Sequence, residues 1–365
     1  MLSFVPVAPL AQLAEQLTLN QRVPGSSPGG RTFHFSARIS LSQKIRRDFQ
    51  DYEDGPDLNN KIALEPKRFD QYVAAIEDSG GELVGLAPEV TALIWTDYAR
   101  PDLLELAISN NPQLVWVQLP FAGVDAFSKI ISENKQITFT SAKRSYSEPV
   151  AEHAVMLAMA LGRVLPERIR ANSWGKKYAD SLFDEEFLIV GGGGIAQQTV
   201  DLLEPYRTRV TVVRKRTAEP FRNTAYSRVV GFDSLASEVS KAKFVLLACA
   251  LTEETKFLFD EKMLSRMRQD AYLINVARGE IVNQEHLVEA LTEGVIAAAA
   301  TDVTYPEPLP ESHPMWQLDN LIITPHTADT MPIVARLFAQ RLRENVSAYI
   351  KGAPLTGVVS PELGY

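Results

Sequence analysis

At 365 residues the chain exceeds the usual size of one domain, and its 45% hydrophobic content is enough for two cores. A net charge of −8 and a pI near 5.3 exclude general binding to nucleic acid or to an anionic membrane surface, and no basic stripe overrides that balance. One cysteine, Cys249, excludes an internal disulfide. With no CxxC or His/Cys cluster, no metal is predicted; the compartment expected is the reducing cytoplasm. No apolar run reaches the roughly 18 residues needed to span a bilayer.

Residues 1–60 read differently from the rest. Ala11 to Phe33 holds a turn-rich Pro/Gly/Ser patch, and Asp48 to Lys61 is polar and acidic. Neither reads as a domain. The QRVPGSSPGG stretch is similar to the peptide produced when a transfer-RNA gene is translated in frame. The expectation is therefore a non-native or disordered extension, with the native start near Asn59 to Ile62; a partner-capping arm is the alternative.

From Lys61 short apolar runs alternate with amphipathic stretches: IAL (62–64), a helix over 69–79, ELVG (82–85), TALIWT (91–96), a helix over 101–111 and LVWVQL (114–119). Such alternation predicts a parallel sheet with helices on both faces. Ser147 to Arg163 is almost wholly apolar, opens at Ser147 or Glu148 with Pro149, and is too short for a membrane, so a buried helix is predicted. Its His153 reads as a packed or interface histidine rather than a ligand. A second set of strands follows at FLIV (187–190), RVTVV (209–213), FVLLA (244–248), AYLINV (271–276) and VIAAAA (295–300), with a helix from Gly194 to Leu203 after the first. The last predicted helix runs from Met331 to Gly352. The fold class is α/β, with two doubly wound parallel sheets.

FLIVGGGGIA sets glycines between a strand and a helix, the context of a dinucleotide-binding turn, with Gly191 and Gly193 in the first two positions and Ala196 in the third. A pyrophosphate would rest on N–H groups near Gly194 and Ile195 at the helix start. Where an NAD-preferring fold carries an acidic residue, about 20 residues on, this chain has Arg214, Lys215 and Arg216. These cations would attract a 2′-phosphate that a carboxylate would repel, so NADP(H) is the preferred cofactor, with NAD(H) possible.

Three further segments carry a reaction. Arg278 lies in LINVARGEIVN, Glu307 in TDVTYPEPLP and His326 in IITPHTADT. A guanidinium binds a carboxylate in a planar fork that lysine cannot imitate. An imidazole can exchange a proton near neutral pH, and an adjacent carboxylate raises its pKa. Together these types suit reduction of a 2-keto acid.

These segments resemble the D-isomer-specific 2-hydroxyacid dehydrogenases, from about Ile62 to the C-terminus. The resemblance implies that Arg278 binds the substrate carboxylate, His326 is the acid/base and Glu307 its partner, with Asp302 contacting the nicotinamide amide. It makes Val117 to Phe127 the loop whose backbone at Ala122 and Gly123 faces the substrate, with Phe121, Leu119, Tyr146 and Trp316 as candidate pocket walls. The loop from Cys249 to Thr255, with Ala250 and Glu253 where prolines are common, would lie looser against the cofactor. Cys249, Ala250, Thr255, Val276, Ala277 and Ala328 complete the candidate cofactor contacts. Residues 61–148, completed by 326–365, form the implied flavodoxin-like substrate domain, and 149–325 the Rossmann-type dinucleotide domain. The implied protein is a homodimeric reductase of a small 2-keto acid such as glyoxylate or hydroxypyruvate. A 3-phosphoglycerate dehydrogenase and a dinucleotide-sensing corepressor share these motifs and stay open as alternatives.

Overall fold

The structure, a computed structural model, describes residues 60–360, so the extension expected over residues 1–60 lies, but for Asn60, outside the described residues. The first part of the described chain runs β1 (Lys61–Glu65), α1 (Asp70–Asp78), β2 (Glu82–Val84), β3 (Ala92–Trp95), α2 (Pro101–Ser109), β4 (Trp116–Gln118), α3 (Ser128–Glu133) and β5 (Thr138–Thr140). Helices α4 (Ser147–Gly162) and α5 (Leu165–Arg170) follow. The second part runs β6 (Glu186–Val190), α6 (Gly194–Leu203), β7 (Arg209–Val213), β8 (Ser227–Val230), α7 (Leu235–Val239), β9 (Phe244–Leu247), α8 (Glu261–Leu264), β10 (Tyr272–Asn275), α9 (Gln284–Thr292), β11 (Ala298–Thr301), β12 (Leu321–Ile323) and α10 (Met331–Ile350).

The strands form two sheets, ordered β2-β1-β3-β4-β5 and β12-β11-β10-β9-β6-β7-β8, and every pairing is parallel. The first order is the flavodoxin-like one; the second contains the dinucleotide-fold order, reversing between β6 and β9. Strands of this kind are covered on both faces and read as unbroken apolar runs. Phe187 to Val190, Phe244 to Leu247 and Leu273 to Ile274 are each at most 1% exposed.

The predicted elements recur with small shifts. β11 begins at Ala298, not Val295, because Gly294 takes a φ of +69° and Val295 N–H returns to Ala290 C=O, closing α9 before the strand starts. The strands with no sequence expectation, β5, β8 and β12, are short edge strands with polar or mixed burial.

Two helices tie the sheets together. α4 buries Ala154, Leu157, Ala158 and Leu161 in the core that also holds Phe187 and Phe244 of the second sheet. α10 returns to the first sheet: Phe338 meets Tyr72 edge-on at 5.1 Å, and Asn345 Nδ2 donates to Gln118 Oε1 at 2.7 Å. No helix among the described residues is long and apolar enough to cross a membrane.

Candidate active site

The catalytic candidates sit on loops at the C-terminal ends of β10, β11 and β12, where ligands bind in open parallel sheets. Beyond β10, the buried side chain of Asn275 accepts from Ala277 N–H at 3.0 Å and donates to Arg278 C=O at 2.9 Å. The arginine's backbone is thus fixed before its side chain extends. Its Nε donates to Asp125 Oδ2 at 2.9 Å and its Nη1 to Ala277 C=O at 2.7 Å. Burial disfavours the guanidinium's charge, but Asp125 and Tyr98 outweigh this and raise its pKa.

Arg278 reaches the loop after β4. A Cβ on Gly123 would collide with Arg278 Nη2, so only glycine permits this approach. Ala122 beside it is exposed. Tyr98, edge-on to Phe121 and Phe127 at 5.6 and 5.5 Å, interacts with both Asp125 and Arg278. The Nε edge of the arginine's fork is therefore occupied by a protein carboxylate.

His326 Nδ1 stands 2.9 Å from Glu307 Oε2, and Glu307 Oε1 accepts Thr304 N–H at 2.9 Å. The Glu307 hydrogen bond raises the His326 pKa above its ordinary value, against burial and the charge of Arg278. Burial pushes Glu307 up, but His326 and the Thr304 N–H prevail and hold it low. Both side chains remain partly open, at 44% and 40% exposure, so a substrate can reach the ring.

The histidine's backbone, at a φ of +51°, is held by Asp302. His326 N–H donates to Asp302 C=O at 2.8 Å, while the Asp302 carboxylate accepts Thr327 N–H at 2.9 Å, Ala328 N–H at 3.1 Å and the Thr324 hydroxyl at 2.5 Å. Asp302 is only 2% exposed, so its oxygens serve the His326 loop from inside the protein. His153 Nε2 lies 3.0 Å from Thr324 Oγ1, packed into this network as its sequence reading expects.

The glycine turn leads from β6 into α6. Gly191 takes a φ of +115°, and a Cβ there would stand 2.5 Å from Ala248 C=O, so the turn closes against the end of β9 at the switch point. Gly193 has nothing within 4 Å of a Cβ position and Gly194 and Ile195 open α6, which fits a pyrophosphate on the helix N–H groups. Ala196 is wholly buried, consistent with its helix-packing position.

The basic residues after β7 are not free-standing. Arg214, 9% exposed and packed across Gly192, donates to Glu219 Oε2 at 3.0 Å; Arg216 Nη1 lies 2.8 Å from Glu219 Oε1; Lys215 pairs with Glu254. Any 2′-phosphate here competes with Glu219.

Several expectations need correction. The loop from Cys249 to Thr255 is not loose: Thr255, 5% exposed, donates to Ala250 C=O at 2.7 Å and accepts Thr252 N–H at 2.8 Å, doing the bracing the missing prolines would do. Cys249 needs no correction: burial pushes its thiol up to about 12, leaving no nucleophilic thiolate. Leu119 is wholly buried and Tyr146 nearly so, its hydroxyl on Pro120 C=O at 2.7 Å, so both are core rather than pocket wall. Trp316 is exposed, with its indole N–H on Pro310 C=O. Val276, Ala277 and Ala328 have buried side chains, which leaves their backbones to meet a cofactor. Sequence reasoning missed Asp125, Tyr98, Asn275 and Glu219. Only Asp125, two residues past Gly123, had a local signal.

Comparison with known proteins gives the same outline. Residues 154–328 match the model of the D-isomer specific 2-hydroxyacid dehydrogenase NAD binding domain. A glyoxylate reductase of Thermofilum pendens is 30% identical over 282 residues, covering 74% of this chain and 80% of that protein. The glyoxylate reductase/hydroxypyruvate reductase of Mus musculus is 34% identical over 204 residues, 52% of this chain and 62% of its own length, so the chain spans about three fifths of that relative. Among solved structures, a D-isomer specific 2-hydroxyacid dehydrogenase from Xanthobacter autotrophicus Py2, in complex with NADPH and MES, superposes with a TM-score of 0.72 at 22% identity, covering 84% of this chain and 99% of that one.

Proposed function

Because the chain belongs to the D-isomer-specific 2-hydroxyacid dehydrogenases, which are NAD(P)-dependent oxidoreductases, we propose that it reduces a small 2-keto acid of the glyoxylate or hydroxypyruvate kind, with NADPH preferred. The observation that carries the reading is the meeting of Arg278 with the Gly123 loop beside the His326–Glu307 pair. Arg278 binds the carboxylate through the donors that Asp125 leaves open, opposite the backbone of Ala122 and Gly123. Protonated His326 gives its proton to the keto oxygen, and Glu307 favours the charged ring and keeps it aimed. General acid catalysis of this kind is worth about 10² to 10⁴ in rate. A reduced nicotinamide, when bound, supplies the hydride.

Asp302 is here a positioning residue, holding the His326 loop rather than reading the nicotinamide. The NADPH preference rests on Arg214 and Arg216, which exchange Glu219 for the 2′-phosphate. In the domain division that goes with this reading, 61–148 with 326–365 binds substrate and 149–325 binds the dinucleotide. The exposed apolar side chains Met156, Leu165, Ile169, Trp174 and Leu202 on and beyond α4 suit a homodimer contact. A single cysteine suits a reducing cytoplasm.

The test is kcat/KM for glyoxylate, hydroxypyruvate and phosphohydroxypyruvate with each cofactor. The reading expects the unphosphorylated acids and NADPH to lead. A clear NADH preference would overturn the cofactor assignment. Inactivity toward every acid, with tight dinucleotide binding, would replace the enzyme with a sensor.

A further inference from the structure

The four-glycine turn brings no charge of its own to a pyrophosphate, yet the stem of an arginine passes beside it. A Cβ on Gly194 would collide with Ser147 Oγ and lie 3.2 Å from Cγ of Arg144. Arg144 comes from the segment between β5 and α4 and Ser147 opens α4, both upstream of the matched residues 154–328. The absence of a side chain at 194 is what admits them.

Arg144 is held there by its backbone. Ser145 N–H returns to Ala142 C=O at 2.9 Å, closing a four-residue turn in which Arg144 takes a φ of +72°. That is the turn position glycine fills most easily. Beneath it, Arg341, 6% exposed, donates from Nη2 to Lys143 C=O at 3.0 Å. The turn therefore has a buried brace, and it sets the Arg144 stem beside Gly194 of the dinucleotide turn.

Charge balance singles out the same residue. Arg214, Lys215 and Arg216 each have a carboxylate partner, whereas Arg144 is exposed and has no ion pair among the described residues. Burial and then the charges of Arg216 and Arg144 push the neighbouring Lys143 down, so the cations here crowd one another. A crowd of that sign beside a helix start is stabilised by an anion.

We propose that Arg144 is a pyrophosphate-binding residue: its guanidinium, held over Gly194 by the turn, ion-pairs with the bridging phosphates of the dinucleotide and supplies the charge that the glycine turn lacks. The inference rests on the dinucleotide reading above, though not on which nicotinamide cofactor is preferred. It also makes the segment after β5 part of the cofactor site.

Fluorescence titration with NADPH and with NADH, on the wild type, Arg144→Gln and Arg144→Gly, tests it, with the ligand-free Tm of each measured alongside. Removing a charge-assisted hydrogen bond to a phosphate weakens binding by about tenfold or more. The expected result is that both variants weaken by this much toward both cofactors, while Arg144→Gly keeps or raises its Tm because glycine suits the turn. Unchanged affinities overturn the proposal. Weaker binding of NADPH alone also overturns it, reassigning Arg144 to the 2′-phosphate, and weaker binding in Arg144→Gly alone overturns it by showing that only the turn's shape mattered. A wild type that binds neither cofactor sinks the dinucleotide reading itself, and this proposal with it.

Discussion

The loops beyond β10, β11 and β12 and the basic loop after β7 both carry charge, but they hold it differently. Arg278 and His326 stand on backbone fixed from below by the buried side chains of Asn275 and Asp302. Lys215 and Arg216 are half-exposed and pair with the exposed carboxylates of Glu254 and Glu219. Buried, fully hydrogen-bonded networks specify one geometry, whereas exposed ion pairs are worth little and exchange partners easily. The first region suits chemistry, which tolerates little misplacement, and the second suits recognition of a charged ligand that must replace an existing partner.

Substitutions that attack each region should therefore differ in size. His326→Ala should lower the rate of keto-acid reduction by about 10² to 10⁴ while leaving NADPH affinity near wild type, checked by steady-state rates and titration. A small rate loss would break the comparison at its strongest point. Asp302→Ala leaves the Ala328 N–H unpaired in the interior and strips the Thr327 N–H of its partner, which should cost about 1–3 kcal/mol in denaturant unfolding and slow turnover further than the lost stability explains.

Glu307→Gln sharpens the comparison through pH. Glu307 raises the His326 pKa, so the acid form persists above the ordinary histidine range, and reduction declines as pH rises through that raised value. Removing the carboxylate should move this decline to lower pH, which a kcat profile reads directly. An unmoved profile would mean that Glu307 does not set the proton supply. The smallest effect belongs to Glu219→Gln: its pair with Arg216 is exposed on both sides and its pair with Arg214 on the Glu219 side, so with exposed pairs worth about 0.2–1 kcal/mol its loss should improve NADPH over NADH by only a few-fold in kcat/KM.

The sequence made some of this legible and hid the rest for a physical reason. Strands buried on both faces announce themselves as apolar runs, and the glycine turn, Arg278, Glu307 and His326 each sit inside a local pattern. Asp125 meets Arg278 across 153 positions, and Asn345 meets Gln118 across 227, so only the folded chain pairs them. Asp302 is the subtler case. Its position was readable, but its work was not, because the donors that fill its oxygens lie more than 20 residues away. Edge strands such as β8 and β12 escaped because they are short and only half-covered.

In the proposed reaction Arg278, held by Asn275 and Asp125 against the Gly123 loop, binds the carboxylate of a 2-keto acid beside His326. Steady-state oxidation of NADPH by glyoxylate and hydroxypyruvate, in the wild type and in Arg278→Lys, tests it most directly. Turnover is expected in the wild type, with KM raised and kcat lowered in the variant, because an ammonium cannot reproduce the guanidinium's directed donors. Absence of turnover in the wild type with either acid, or a lysine variant indistinguishable from it, would contradict the account.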